Sequence, residues 1–98
     1  MATYEVDNEI IILEYPTNGN SNIAKVKFVR WDSSELTFVE ICVVASPPFQ
    51  CTLDTSTLPF GWNEIIAQLY DAQDRYLSQT YIWVYRNPNP LFLPIVSR

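Results

Sequence analysis

From Asn63 to Tyr70 the chain alternates with a period of two. Ile65, Ala67 and Leu69 fall on one side; Glu64, Ile66, Gln68 and Tyr70 fall on the other. Successive side chains of extended backbone point to opposite faces, so this pattern predicts a half-buried β-strand. Both ends carry corners. Pro59 presets φ for the first position of a turn, and Gly61 is free to adopt the positive φ that a following position needs. Asp71 opens a second turn through Asp71-Ala72-Gln73-Asp74-Arg75, where short carboxylates accept bonds from backbone N–H groups. The competing reading, a helix over Trp62–Tyr70, is disfavoured by these corners. A strand that long needs neighbours, because unpaired backbone donors and acceptors are costly to bury.

The neighbours are legible on either side. Residues 9–15 form a β-branched run, followed by a turn-rich segment, Pro16 to Asn22, with Gly19 as its left-handed residue. Ile23–Trp31 sets Ala24, Val26 and Phe28 against Lys25, Lys27 and Val29, so Val26 and Phe28 should point inward. After the polar loop Asp32–Glu35, Leu36–Ala45 reads as a strand with Val39, Ile41 and Val43 inward and Glu40 outward. Ser46-Pro47-Pro48 interrupts the ladder, since proline lacks a backbone donor. Phe49–Asp54 follows, with Phe49, Cys51 and Leu53 on one face. Leu77–Arg86 is the last strand, placing Ile82 and Val84 opposite Tyr81, Trp83 and Tyr85. These six strands, with a seventh expected to complete the set of about seven, and none separated by a helical pattern, describe an all-β, antiparallel two-sheet immunoglobulin-type sandwich.

Four pieces taken in order, Val39–Val43, Pro48–Thr55, Leu58–Asn63 and Ala67–Ala72, resemble the bacterial immunoglobulin-like domain family. There a strand of the type VEFYVDG precedes PYS-x-x-WDT, then LPDG-x-H, then A-x-A-x-DAAGN and a closing VTVTV strand. Val44-Ala45 stands where that family has Asp-Gly, and Asp74-Arg75 where it has Gly-Asn. The resemblance spans roughly residues 9–86. It implies an immunoglobulin-like sandwich and a non-catalytic module of an exported, extracellular or surface protein, acting in spacing, adhesion or assembly. Residues 1–8 would then be an N-terminal extension and residues 87–98 a Pro-rich apolar tail. The alternative from another class is an accessory carbohydrate-binding module.

At 98 residues the chain holds one domain, long enough for a single core without a metal. Net charge is −5 and the bases are scattered, so a phosphate-tracking surface for nucleic acid is not expected. No apolar run approaches the roughly 20 residues of a membrane-spanning helix. Residues 1–8 are polar and acidic and show no signal-peptide pattern; the family resemblance then implies a piece of a longer exported protein, with Met1-Ala2 either an added start or the chain's own start in a smaller protein. There is no histidine and no Cys-x-x-Cys, and no serine sits in a nucleophile elbow; neither catalysis nor a cofactor is expected. Asp32, Glu35, Asp54, Asp71 and Asp74 lack EF-hand spacing and read as turn caps rather than as a calcium site. Cys42 and Cys51 flank one connection. Facing each other on neighbouring antiparallel strands they would form a disulfide, which implies an oxidising compartment; otherwise they are two free thiols.

The candidate interface is the presumed outer face of the last two strands: Ile66, Gln68 and Tyr70 with Tyr81, Trp83 and Tyr85, and Phe38, Glu40 and Cys42 alongside. A contiguous apolar patch with several rings marks a contact surface. Three occupants compete: the chain's own ends (residues 1–8 with Tyr4 and Val6, or the tail with Leu91, Phe92 and Ile95), a neighbouring domain or second copy, and a glycan stacked on the rings.

Overall fold

The computed structural model describes residues 2–7, 9–16 and 22–88. Seven strands run in chain order: β1 (Ala2–Val6), β2 (Ile10–Tyr15), β3 (Lys25–Asp32), β4 (Thr37–Val44), β5 (Phe49–Asp54), β6 (Gly61–Tyr70) and β7 (Tyr76–Arg86). They form two sheets, one of five strands in the order β1-β7-β6-β3-β4 and one of two, β2-β5. The expected all-β sandwich is observed, and the segment 63–70 is a strand, not a helix. The tail beyond Pro88 and the turn with Gly19 lie outside the described residues.

The core lies between the sheets. Leu13 from β2 and Phe49 and Leu53 from β5 meet Val26, Phe28, Ile65, Ala67, Leu69, Ile82 and Val84 from the larger sheet. The alternation over 63–70 therefore packs as its period dictates, with Ile65 and Ala67 fully buried. Gly61 takes φ 93° where β6 begins, and Asp74 takes φ 64° in the turn before β7, the left-handed role glycine would otherwise fill. Asp71 closes that turn by accepting from the Gln73 and Arg75 backbone N–H groups, both at 2.9 Å.

Three features depart from the sequence reading. First, Ala2–Val6 is not an extension outside the sandwich: it pairs with β7 as a parallel edge strand, and Val6 is 2% exposed in the core. The Asn87 N–H extends this ladder by donating to the Val6 carbonyl at 2.9 Å. Every other ladder is antiparallel. Second, the β3–β4 register shifts at Phe28/Val29, so Phe28 faces Cys42 while Val29 faces Glu40 and Ile41 is left as the extra residue. Such a bulge reverses the inside–outside parity of the strand beyond it. Cys42 and Val44 therefore pack against the core and Val43 is exposed, the reverse of the simple alternation. Third, the Cys42–Cys51 disulfide, with Cα atoms 6.8 Å apart, ties β4 of the large sheet to β5 of the small one rather than two neighbours in one ladder.

Candidate functional site

Parity and register together define the outer face of the five-stranded sheet, the side turned away from β2 and β5. Trp62, Glu64, Ile66, Gln68 and Tyr70 occupy it on β6. Their β7 partners are Tyr85, Trp83, Tyr81, Gln79 and, across a register shift, Tyr76. On β3 the same face carries Lys25, Lys27, Val29 and Trp31, and on β4 Trp31 and Val29 oppose Phe38 and Glu40. Among the described residues no strand lies over this face.

The six candidate interface residues do not share one environment. Ile66 lies on the outer face, but its position between Val29 and Tyr81 seals it to 3% exposure, so it supports the surface rather than forming it. Tyr70 is already occupied: Lys25 Nζ stands 4.6 Å and Lys27 Nζ 5.8 Å from its ring centroid, and Tyr76 meets it edge-on at 6.0 Å. Lys25 is also bonded to Asp74. Tyr81 accepts a bond from Gln79 Nε2 at 2.8 Å, and Gln68 is half-buried beside it. Cys42 is absent from this face because of the bulge. Trp83 and Tyr85 remain, half-buried and in contact with Trp62, which stands just before the run 63–70 picked out by the alternation.

Trp62 is the centre of the exposed part. It is 61% exposed and meets Trp83 at 6.4 Å between centroids and 87° between planes, and Tyr85 at 5.1 Å and 60°. On one side lies an open groove of about 340 Å³, lined by all three tryptophans of the chain, Trp31, Trp62 and Trp83, together with Glu64, Asn63, Pro59 and the turn Asp32-Ser33-Ser34. On the other lies a shallow hollow of about 490 Å³ bounded by Tyr4, Glu5, Trp62 and Tyr85. Trp31 is braced from outside by Phe38, edge to face at 5.0 Å. Sequence reasoning missed Trp31, Trp62, Glu64 and Glu5 as a group. The alternation already set Glu64 on the face of Ile66, and extending it two residues further back would have added Trp62, but Trp31 and Glu5 join through strand order.

The carboxylates divide by role. Asp32, Asp54 and Asp71 are turn caps. The Ser34 hydroxyl, at 2.6 Å, is the main influence holding the Asp32 carboxyl below its ordinary range, with the Glu35 and Ser34 N–H groups adding to it. The Ser56 hydroxyl and N–H do the same for Asp54 at the start of the short 3₁₀ turn Thr55–Thr57. For Asp71 the Arg75 N–H leads. Glu64, by contrast, has no hydrogen-bond or ion-pair partner among the described residues, although it is half-buried between indoles. Among the described residues no cluster of three acidic, cysteine or histidine side chains is arranged to hold a metal.

No protein-family model and no curated protein matches the chain. Among solved structures the fold is similar to one described as "Structures of Clostridium thermocellum CbhA fibronectin(III)-like modules", with a TM-score of 0.61 and 15% identity over 89% of this chain and 91% of that one. At that identity the likeness concerns the fold: a fibronectin III-like sandwich of the immunoglobulin type.

Proposed function

We propose that the chain is a non-catalytic immunoglobulin-like module of an exported bacterial protein, akin to the bacterial immunoglobulin-like family, that acts in adhesion or protein–protein assembly through the outer face of its five-stranded sheet. One observation carries the reading: all three tryptophans gather on a solvent-facing sheet surface over which no described strand lies. Large indoles on a flat, stable strand surface lose little conformational freedom on contact and bury much area, which is why Trp and Tyr dominate protein interfaces. The disulfide supports an oxidising, exported setting, because such bonds are rare in reducing cytosol.

Sedimentation equilibrium over a wide concentration range, alone and with the neighbouring domains of the parent chain, tests this. The expected result is association that weakens in Trp62→Ser/Trp83→Ser while the fold is kept. A chain that stays monomeric and ignores its neighbours would overturn the reading. The glycan reading is retained because Ser33, Ser34 and Glu64 place hydroxyls and a carboxylate beside the rings. Binding to soluble oligosaccharides that is lost in Trp83→Ala would select it.

A further inference from the structure

The groove between Trp31, Trp62 and Trp83 has a definite chemical character. Its lining includes two carboxylates, Glu64 and Asp32, and no lysine or arginine. Asp32 is largely committed, bonded within its own turn and 3.8 Å from Arg30, a residue that does not line the groove. Glu64 is uncommitted among the described residues. The second hollow, across Trp62, repeats the composition with Glu5 against Trp62 and Tyr85. The indole planes of Trp62 and Trp83 stand 87° apart, so they form a corner and not the coplanar shelf that a flat sugar chain would stack along.

We infer that this corner receives a lysine or arginine side chain presented by a basic protein partner. A cation is attracted to the negative faces of aromatic rings, most strongly to tryptophan, and a carboxylate beside the rings adds a direct counter-charge. The same chain shows the preference internally: Lys25 and Lys27 sit over Tyr70, and the Arg86 guanidinium lies 4.4 Å from the Phe60 ring centroid. The tryptophan corner, by contrast, holds no cation from the described residues. The net charge of −5 steers basic surfaces toward the module and disfavours acidic ones. This inference rests on the assembly reading and names the chemistry of the partner.

The test is an NMR titration that follows the indole Nε1–H signals of Trp31, Trp62 and Trp83. The probes are Nα-acetyl-lysine amide, Nα-acetyl-arginine amide and tetramethylammonium, with Nα,Nε-diacetyl-lysine amide and cellotriose as neutral controls. All three cations should shift the indole signals at millimolar concentration while the neutral compounds do not. Raising salt to about 0.5 M, where screening is strong, should weaken the response. Glu64→Gln, a substitution outside the core, should weaken it by about three-fold, as expected for one partly solvated charge. Equal shifts with the diacetylated amide, a response to cellotriose alone, or no change in Glu64→Gln would overturn the inference. Association lost in Trp62→Ser/Trp83→Ser without any cation response would overturn the lysine or arginine assignment and leave the assembly reading intact. A chain that stays monomeric and ignores its neighbours, while its indoles still answer to cations, would overturn the assembly reading and leave the cation assignment of the groove intact.

Discussion

Asn63 donates through Nδ2 to the carbonyl of Pro59 at 3.0 Å, four residues back across the corner that launches β6. The same amide reaches the Gly61 carbonyl at 3.1 Å and, across the sheet, the Val84 carbonyl at 3.4 Å. A side chain 4% exposed thus satisfies acceptors that the corner would otherwise bury, and fixes the approach to the face carrying Trp62 and Glu64.

Asn63→Leu should cost about 1–3 kcal/mol, because buried carbonyls lose a donor and the corner loosens. Urea denaturation measures the cost. Equal stability of variant and wild type would mean that the corner is held by Pro59 and Gly61 alone.

Reduction of Cys42–Cys51, or Cys42→Ser/Cys51→Ser, should lower stability by roughly 2–3 kcal/mol on the chain-entropy model for a short closed loop. Reductant should lower the wild-type midpoint of denaturation to about that of the double serine variant, whose own midpoint should not respond to reductant. Insensitivity of the wild type to reductant would count against the bond.

Leu36 is 74% exposed and takes φ 55°, a conformation that crowds any side chain bearing a β-carbon. Leu36→Gly should therefore stabilise by about 0.5–1 kcal/mol, the relief of strain exceeding the entropy that glycine adds to the unfolded chain. A lower melting temperature in the variant would contradict this.

Asp32, Asp54 and Asp71 are held below their ordinary carboxyl range by the donors of their own turns. The folded protein therefore binds protons less readily than the unfolded chain in acid. Their contribution is complete above the unfolded value near 3.8 and is lost as pH falls through the depressed folded values. Stability plotted against pH should decline at the acid end, and the triple Asp→Asn variant should decline less steeply there. Parallel curves would show that these turns contribute nothing to acid sensitivity.

The period-two runs over 23–31, 49–54, 63–70 and 77–86 carry their own inside–outside assignment, because side-chain direction in extended backbone is a local property. Phe28, Phe49, Ile65 and Val84 are accordingly found in the core. The aspartate turns are equally local, since Asp71 finds its donors two and four residues ahead. The outer-face site was half legible. Trp83 and Tyr85 follow from alternation, but the burial of Ile66 and the lysines over Tyr70 depend on which strands flank them.

The amino-acid order was enough to mark six of the seven strands, the corners at Pro59–Gly61 and Asp71–Arg75, and the core face of most of those strands. Tertiary structure alone decided the parallel docking of β1 on β7, the bulge that turns Cys42 inward, and the meeting of Trp31, Trp62, Trp83 and Glu64 around one groove. The division follows the range over which each interaction acts. Alternation and turn chemistry act between residues a few positions apart, whereas strand order and register are set by which distant segments jointly bury the most apolar surface and pair the most backbone, a choice no local pattern encodes.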